Sequence, residues 1–325
     1  MSAEDRRSRD DAAGWAVAAV TVVLLAGFGS EGDARWPWLA FDLAAAAVYL
    51  LLLVPRCQVR GRALVAAHPS LTVHVPLGMA LYGMIAALLV GSHNWVNLLL
   101  WPVGAGVATV ALGVGRDAEP SPARLLVAAV ALAAIWGIWE RAITIAVPGG
   151  MHLSLGPLVA VALALFLFTV VHPLRTFDVG LGLSGRELGF ALAAVAVLAA
   201  AAIPLGFAIG FLSFQSRWLG VTHGALRLLG LILFVGLPEE MLFRGTIQEA
   251  FSRIWGPRIG LALGAVVFGL LHLLKHPTHP NWGYGLLATA AGFAYGLVYQ
   301  RTGKLAAAAV THGAVDWIWS MFLGA

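Results

Sequence analysis

The amino-acid sequence predicts an all-α protein, a polytopic transmembrane helical bundle with about eleven spans. Three observations support this fold class: 60% of the 325 residues are hydrophobic, only 11% are charged, and the apolar stretches are continuous rather than alternating. A soluble domain carries about 25% charged residues. Continuous apolar stretches favour helices, because the strands of a membrane β-barrel alternate apolar and polar residues.

The predicted spans follow from apolar windows that are bounded by charged loops. Arginines concentrate in alternate loops, as in the second loop with Arg56, Arg60 and Arg62, and such loops are typically cytoplasmic. The sequence therefore predicts a cytoplasmic N-terminus, an outward C-terminus and an uncleaved first span in a bacterial-type cell membrane. The windows lie near residues 12–30, 37–54, 71–91, 96–115, 125–143, 153–171, 188–211, 225–243, 258–274, 283–299 and 305–323.

Charge and cysteine content exclude several function classes. The net charge of +4 does not indicate nucleic-acid binding, because most basic residues lie in short loops that orient helices. The single cysteine, Cys57, excludes an intrachain disulfide and a multi-cysteine metal cluster. The membrane lipid bilayer is the partner that composition alone predicts.

The chain divides into two predicted regions. Residues 1–172 form an accessory transmembrane region of about six helices, and residues 173–325 form a second region that holds all the candidate catalytic side chains. The segment from His172 to Glu187 is the most polar connection in the middle of the chain. Glycines four residues apart predict close helix packing in the second region; they are Gly256, Gly260, Gly264, Gly292 and Gly296.

The first chemical motif is Glu239-Glu240-Met241-Leu242-Phe243-Arg244, at the end of an apolar run. A charge at the bilayer centre costs about 3 kcal/mol or more. Glu240 and Arg244 are four residues apart and can pair on one helix face. Glu239 has no such partner and can face a cavity, where an apolar surrounding strengthens a carboxylate as a base for water. The alternative is an interfacial Glu–Arg pair that ends the span at the membrane surface.

Two further motifs place histidines in later apolar runs. His272 follows Phe268 by four residues, so the phenyl ring can pack against the imidazole and fix its rotamer. The alternative for His272 is a span end, near Lys275, His276 and His279, where it would lie among lipid headgroups. His312 and Asp316 are also four residues apart.

Asp316 has several possible roles near mid-membrane, where an unpaired charge is costly. It can orient the imidazole of His312, bind a metal jointly with it, or contact a reacting oxygen. A buried structural His–Asp pair is the remaining alternative.

These three motifs resemble those of the CPBP intramembrane proteases, the family of type II CAAX prenyl endopeptidases and bacteriocin-processing enzymes. The resemblance rests on Glu-Glu-Met-Leu-Phe-Arg-Gly, Phe-Gly-Leu-Leu-His and His-Gly-Ala-Val-Asp, in that order, and covers residues 175–325. It implies a membrane-embedded endopeptidase on a helical bundle, with a site that opens toward the cytoplasmic leaflet. A membrane-associated or lipidated protein or peptide would be its substrate.

The resemblance also implies roles for single residues. Glu239 and His272 would activate the attacking water, His312 and Asp316 would stabilise the oxyanion, and Glu240 and Arg244 would support the site. Many family members have asparagine where this chain has Asp316. Because an ionised carboxylate cannot donate a hydrogen bond, Asp316 is either protonated, orients His312 or holds a metal, and the orienting role is favoured.

Metal dependence stays open at this point, although the family is usually labelled as metalloproteases. His272, His312 and Glu239 provide enough ligands for a zinc site with an open position. The compact His-Glu-x-x-His spacing of a typical zinc protease is absent from the sequence.

Two other functions remain as alternatives to an endopeptidase. The first is a non-catalytic scaffold or regulator of the same fold. The second is a proton-coupled transporter whose pathway would include Asp42, His74 and the Glu140–Arg141 pair. No internal symmetry typical of transporters is evident. The sequence does not specify an oligomeric state.

Overall fold

The structure is a computed structural model in which residues 8–19, 36–89, 94–113, 119–137, 144–147, 151–174, 177–273 and 280–324 are described. The side chains of residues 36–43, 144–147 and 151–155 lie outside that description. Within the described residues the regular elements are helices and four short strands, which confirms the all-α fold class. It forms two compact units, Met1–Phe177 and Asp178–Ala325.

The first unit is a set of apolar helices in which α5 packs between α4 and α6, and α7 packs against α2 and α6. The strands β1 and β2 form an antiparallel hairpin before α7. The elements are α1 (8–19), α2 (Trp36–Leu52), α3 (Pro55–Ala67), α4 (Leu71–Leu89), α5 (Trp95–Gly113), α6 (Pro122–Trp136), β1 (Thr144–Val147), β2 (Met151–Ser154) and α7 (Leu155–Leu165), which continues as a π-helical segment, Phe166–Val171.

The predicted second loop is wrong, because its arginines lie on helix α3. Pro55 occupies the first turn of α3, where its missing N–H costs no hydrogen bond. The helix is bent by 94° from the end of α2. Arg56 pairs with Asp11 at 2.9 Å, and Arg62 donates to the carbonyl of Thr169 at 2.8 Å. These partners explain how a basic segment is held against the first unit.

The second unit contains the three predicted motifs. Its first helix begins with a capping box in which Ser184 and Glu187 bind each other's backbone N–H groups. The elements are α8 (Gly185–Ala208), β3 (Ser213–Phe214), α9 (Val221–Leu231), a π segment (Ile232–Gly236), α10 (Leu237–Leu242), a second π segment (Phe243–Gln248), α11 (Glu249–Trp255), α12 (Pro257–His272), α13 (Trp282–Thr302), α14 (Leu305–Phe322) and β4 (Leu323–Gly324). Strand β4 pairs antiparallel with β3.

The segments α9 to α11 form one continuous helical stretch of 35 residues, Val221–Trp255. The predicted end of this span near residue 243 is therefore wrong, and the acidic motif lies within the helix rather than at its end. Pro238 cannot donate to the carbonyl four residues earlier. The π segment Ile232–Gly236 ends two residues before it, and this irregular turn accommodates the missing donor.

Four described helices are long and apolar enough to cross a membrane: Leu71–Leu89, Trp95–Gly113, Gly185–Ala208 and Val221–Trp255. The bent pair Ala44–Leu52 and Pro55–Ala67 would be a fifth if it counts as one span. Other helices begin and end within a few residues of predicted spans, but several of them are shorter. The protein therefore has an all-α membrane-type fold, and the number of eleven spans stays a prediction.

Most of the predicted glycine contacts bring α12 close to its neighbours. A methyl group at Gly292 would lie 3.2 Å from the Cα of Ala265, and one at Gly264 would lie 3.1 Å from the Cβ of Gln248. Gly256 is different, since its φ of +86° forms the break between α11 and α12. The packing interpretation was wrong for Gly256, where the backbone conformation favours glycine.

Candidate active site

A buried ion pair lies at the centre of the long helix. Glu240 Oε2 is 2.8 Å from Arg244 Nε, and both side chains are 0% exposed. The guanidinium lies over the rings of Phe268, Phe243 and Tyr295 at 5.2 to 5.9 Å, within the range of cation–π attraction. The alternative of an interfacial pair that ends the span is excluded by this burial.

The second oxygen of Glu240 contacts His312, a contact that the sequence did not indicate. Glu240 Oε1 is 2.9 Å from Nδ1 of His312. Because an ionised carboxylate only accepts hydrogen bonds, Nδ1 carries the proton and donates. Glu240 therefore links α10 to α14, with Arg244 on one oxygen and His312 on the other.

Nε2 of His312 faces the two remaining acidic side chains. It is 3.4 Å from Asp316 Oδ2 and 3.9 Å from Glu239 Oε2. Both carboxylates are partly accessible, with 30% of the Asp316 side chain and 17% of the Glu239 side chain exposed. Glu240 makes the shorter contact with the imidazole, so the orienting role of Asp316 stays a prediction.

His272 is buried at the end of α12 and held by Phe268. Its Nδ1 lies 2.7 Å from the carbonyl oxygen of Phe268, and the two ring centroids are 4.5 Å apart. A carbonyl only accepts, so Nδ1 carries the proton and Nε2 of the neutral imidazole has the lone pair. His272 is only 9% exposed, which argues against the headgroup alternative. Lys275, His276 and His279, on which that alternative depended, lie outside the described residues.

The predicted catalytic residues line one cavity of about 140 Å³ in the second unit. Glu239, His272, His312 and Asp316 form its polar part. Roughly 10–15 Å³ on this measure is enough for one water molecule, so the cavity has room for water and part of a larger molecule. The apolar wall is formed by residues that include Leu198, Ala202, Ile203, Leu212, Leu287, Ala288, Val315, Ile318 and Leu323.

Two tyrosines of the cavity, Tyr284 and Tyr295, were not predicted as site residues. Tyr284 and Tyr295 are eleven residues apart on α13, a spacing that places them on one helix face. The ring of Tyr295 stacks on His312 at 4.5 Å, and the ring of Tyr284 contacts His272 at 4.8 Å. This spacing was the available signal, but tyrosines in an apolar helix also fit an interfacial belt.

The zinc alternative does not fit the arrangement of the side chains. Within the described part of the chain, no group of three or more His, Cys, Asp or Glu residues could hold a metal ion. We therefore derive no chemical step through a metal.

Of the residues predicted for a transport pathway, the structure describes the side chain of His74, so the transporter alternative stays a prediction. His74 is exposed on α4. The side chain of Asp42 and the Glu140–Arg141 pair lie outside the described residues.

Fold and site together define the class of protein, an integral membrane protein of all-α fold with a buried site of glutamates and histidines. Residues 221–318 match the family model described as type II CAAX prenyl endopeptidase Rce1-like. This match confirms the family resemblance over the region that contains all three motifs. It includes every predicted catalytic residue, from Glu239 to Asp316.

A curated relative is similar to part of the chain. It is the uncharacterized protein YpbD of Bacillus subtilis (strain 168), which is 31% identical over 90 residues. The similar region is 28% of this chain and 42% of the relative, so less than half of that protein is covered. No solved structure matches the chain.

Proposed function

We propose that this protein is an intramembrane endopeptidase that hydrolyses a peptide bond of a membrane-associated substrate. The observation that carries the proposal is the single cavity in which Glu239, His272, His312 and Asp316 meet. The family match over the same residues supports the reaction class. The substrate would be a membrane-associated or lipidated protein or peptide, cut near the cytoplasmic face.

Glu239 is the base in this proposal. Its carboxylate lines the cavity, and the residue four positions later, Phe243, offers no cation to neutralise it. Glu239 removes a proton from water, and Nε2 of His272 accepts a hydrogen bond that orients the same water. The water oxygen forms a bond to the scissile carbonyl carbon, and the carbonyl electrons move to its oxygen. The proton then passes from Glu239 to the leaving nitrogen as the C–N bond breaks.

His312 stabilises the oxyanion when its imidazole is protonated. Nδ1 donates to Glu240, so Nε2 is the nitrogen that can donate to an oxygen in the cavity. Glu240 and Arg244 hold this imidazole in position from the buried side. Asp316 lies near Nε2 and would position the imidazole together with Glu240.

The test compares purified wild-type protein with Glu239→Gln, which keeps the shape of the side chain and removes the base. Both are incubated in liposomes with a quenched fluorescent membrane-peptide library, with and without added zinc and a chelator. We expect Glu239→Gln to reduce cleavage by at least about 10²-fold, the usual contribution of a general base. Comparing wild-type cleavage with and without the chelator measures metal dependence separately from the effect of the substitution.

Glu249→Gln is the matched control. Glu249 lies ten residues further along the same continuous helix, pairs with Arg253 at 2.7 Å and does not line the cavity. The control variant should cleave like wild type. If Glu239→Gln cleaves as fast as Glu249→Gln, the proposed mechanism is wrong. A wild type that cleaves nothing, in liposomes and in whole-membrane proteomics, would favour a non-catalytic scaffold.

A further inference from the structure

The cavity contains few neutral groups that can donate a hydrogen bond to a reacting oxygen. Its described lining includes no Ser, Thr, Asn, Gln, Lys or Arg side chain. The carboxylates of Glu239 and Asp316 are acceptors when ionised, and the Nδ1 atoms of both histidines are already bonded. The remaining neutral donors in the lining are the hydroxyls of Tyr284 and Tyr295 and the indole N–H of Trp319.

Tyr284 is held in place by aromatic contacts on several sides. Its ring centroid lies 4.8 Å from that of His272, 4.9 Å from that of Trp319 and 5.8 Å from that of Phe211. Such contacts restrict the ring to one rotamer, so the direction of the hydroxyl is fixed before a substrate binds. The site therefore does not have to reorganise to use this hydroxyl.

The side chain of Tyr284 lines the cavity beside His272. It makes no hydrogen bond to any residue in the described part of the chain. The charged groups that act on it electrostatically are Asp316 and Glu239, the two accessible carboxylates of the site. A donor near both carboxylates and next to His272 is close to where the attacked carbonyl would lie.

Tyr295 is less suited to this role. Its ring is stacked on His312 with an interplanar angle of 16° and is 1% exposed. Eleven residues separate it from Tyr284, which is about 16 Å along a helix. The Arg244 guanidinium lies 5.9 Å from the centre of its ring, so Tyr295 borders the buried ion pair.

We propose that Tyr284 is a further catalytic residue, whose hydroxyl donates a hydrogen bond to the oxyanion formed when water attacks the peptide carbonyl. This inference rests on the proposed endopeptidase function. The tyrosine keeps its proton throughout, so the step transfers no atom and needs no further reactant. It supplies the neutral donor that a carboxylate at position 316 cannot supply when ionised.

The test is Tyr284→Phe, which keeps the ring against His272 and Trp319 and removes only the hydroxyl oxygen. Cleavage of the library peptide that wild type cuts fastest is measured in liposomes. Loss of one oxyanion donor typically costs about 10²–10³-fold in kcat, and we expect a fall of that size with KM changed less than about threefold. The melting temperature should not fall, because the hydroxyl has no described hydrogen-bond partner to lose.

Tyr299→Phe is the matched control, since Tyr299 lies on the same helix and outside the cavity lining. It should keep wild-type kcat. Undiminished kcat in Tyr284→Phe, while Glu239→Gln is inactive, would overturn this inference alone. An effect on KM only, or a loss of kcat that parallels a lower melting temperature, would also overturn it. If the wild type cleaves no peptide, the result contradicts both the proposed function and this inference.

Discussion

At the scale of single residues, Glu240 holds both the buried guanidinium of Arg244 and the imidazole of His312. One oxygen pairs with Arg244 at 2.8 Å and the other accepts from His312 at 2.9 Å, and the carboxylate is fully buried. Removing one partner of a buried pair leaves the other charge without compensation. Glu240 should therefore matter for stability as well as for activity, whereas Glu239 should matter mainly for activity.

We predict that Glu240→Ala lowers the free energy of unfolding by about 3–5 kcal/mol, because it leaves the Arg244 guanidinium buried without its carboxylate. Denaturant unfolding in mixed micelles, followed by tryptophan fluorescence, measures this change. The control is Glu249→Ala, whose partly exposed pair with Arg253 should contribute less than about 1 kcal/mol. Equal losses in the two variants would contradict the importance of burial.

The sequence could predict local pairs of residues but not contacts between distant segments. Glu240 with Arg244, and Phe268 with His272, follow from the spacing of four residues on a helix. The contact of Glu240 with His312 joins positions 72 residues apart, and no periodicity in one sequence encodes it. The orienting partner first proposed for His312 was Asp316 because only that residue was local.

At the scale of elements, the site depends on a close approach between α14 and the π segment Ile232–Gly236. A Cβ added to Gly236 would lie 2.8 Å from the carbonyl oxygen of Ala309, and one added to Gly313 would lie 2.8 Å from the backbone of Ile232. Real Cβ atoms do not approach a backbone so closely. The two glycines therefore permit the approach that brings His312 to Glu240.

We predict that Gly313→Ala reduces peptidase activity and stability together. The added methyl group would force α14 away from Ile232, which would lengthen the hydrogen bond between His312 and Glu240 and cost about 1–3 kcal/mol of unfolding free energy. Cleavage rate and melting temperature are the measurements.

Gly189→Ala is the control for that substitution. A Cβ at Gly189, on the exposed side of α8, would meet nothing within 4 Å. It should leave activity unchanged and keep or slightly raise stability, since alanine favours a helix by up to about 1 kcal/mol relative to glycine. A Gly313→Ala variant as active as Gly189→Ala would show that the close approach is not needed.

The sequence predicted where most helices lie, but not how they join. Hydrophobic windows located α4, α5, α8 and α12 to within a few residues. They missed helix α3, because its arginines suggested a loop. They also predicted too early an end for the helix that contains the acidic motif. The polar residues after Phe243 have the composition of a segment at the membrane surface, although the helix continues to Trp255. Burial of Arg244 and Gln248 against other helices overrides that signal.

At the scale of the whole molecule, the candidate site is contained in one of the two compact units. The residues that line the cavity run from Leu198 to Leu323, all within Asp178–Ala325. The buried cation Lys304 binds Glu187 at 3.2 Å and the carbonyl of Gly182 at 2.9 Å, and both partners belong to the second unit. We therefore propose that residues 173–325 are the catalytic domain and residues 1–172 an accessory region.

A fragment of residues 173–325 should insert into membranes and cleave the same library peptide as the full chain. The expectation follows because all residues that line the cavity lie in this unit, and the contacts of His312 with Glu239, Glu240 and Asp316 and of His272 with Phe268 are made within it. The measurements are kcat and KM in liposomes, with the Glu239→Gln fragment as the inactive control. A change in KM alone would assign substrate recruitment to the accessory region. A fragment that keeps a cooperative melting transition but has no activity would contradict the assignment, because the chemistry would then require residues outside 173–325.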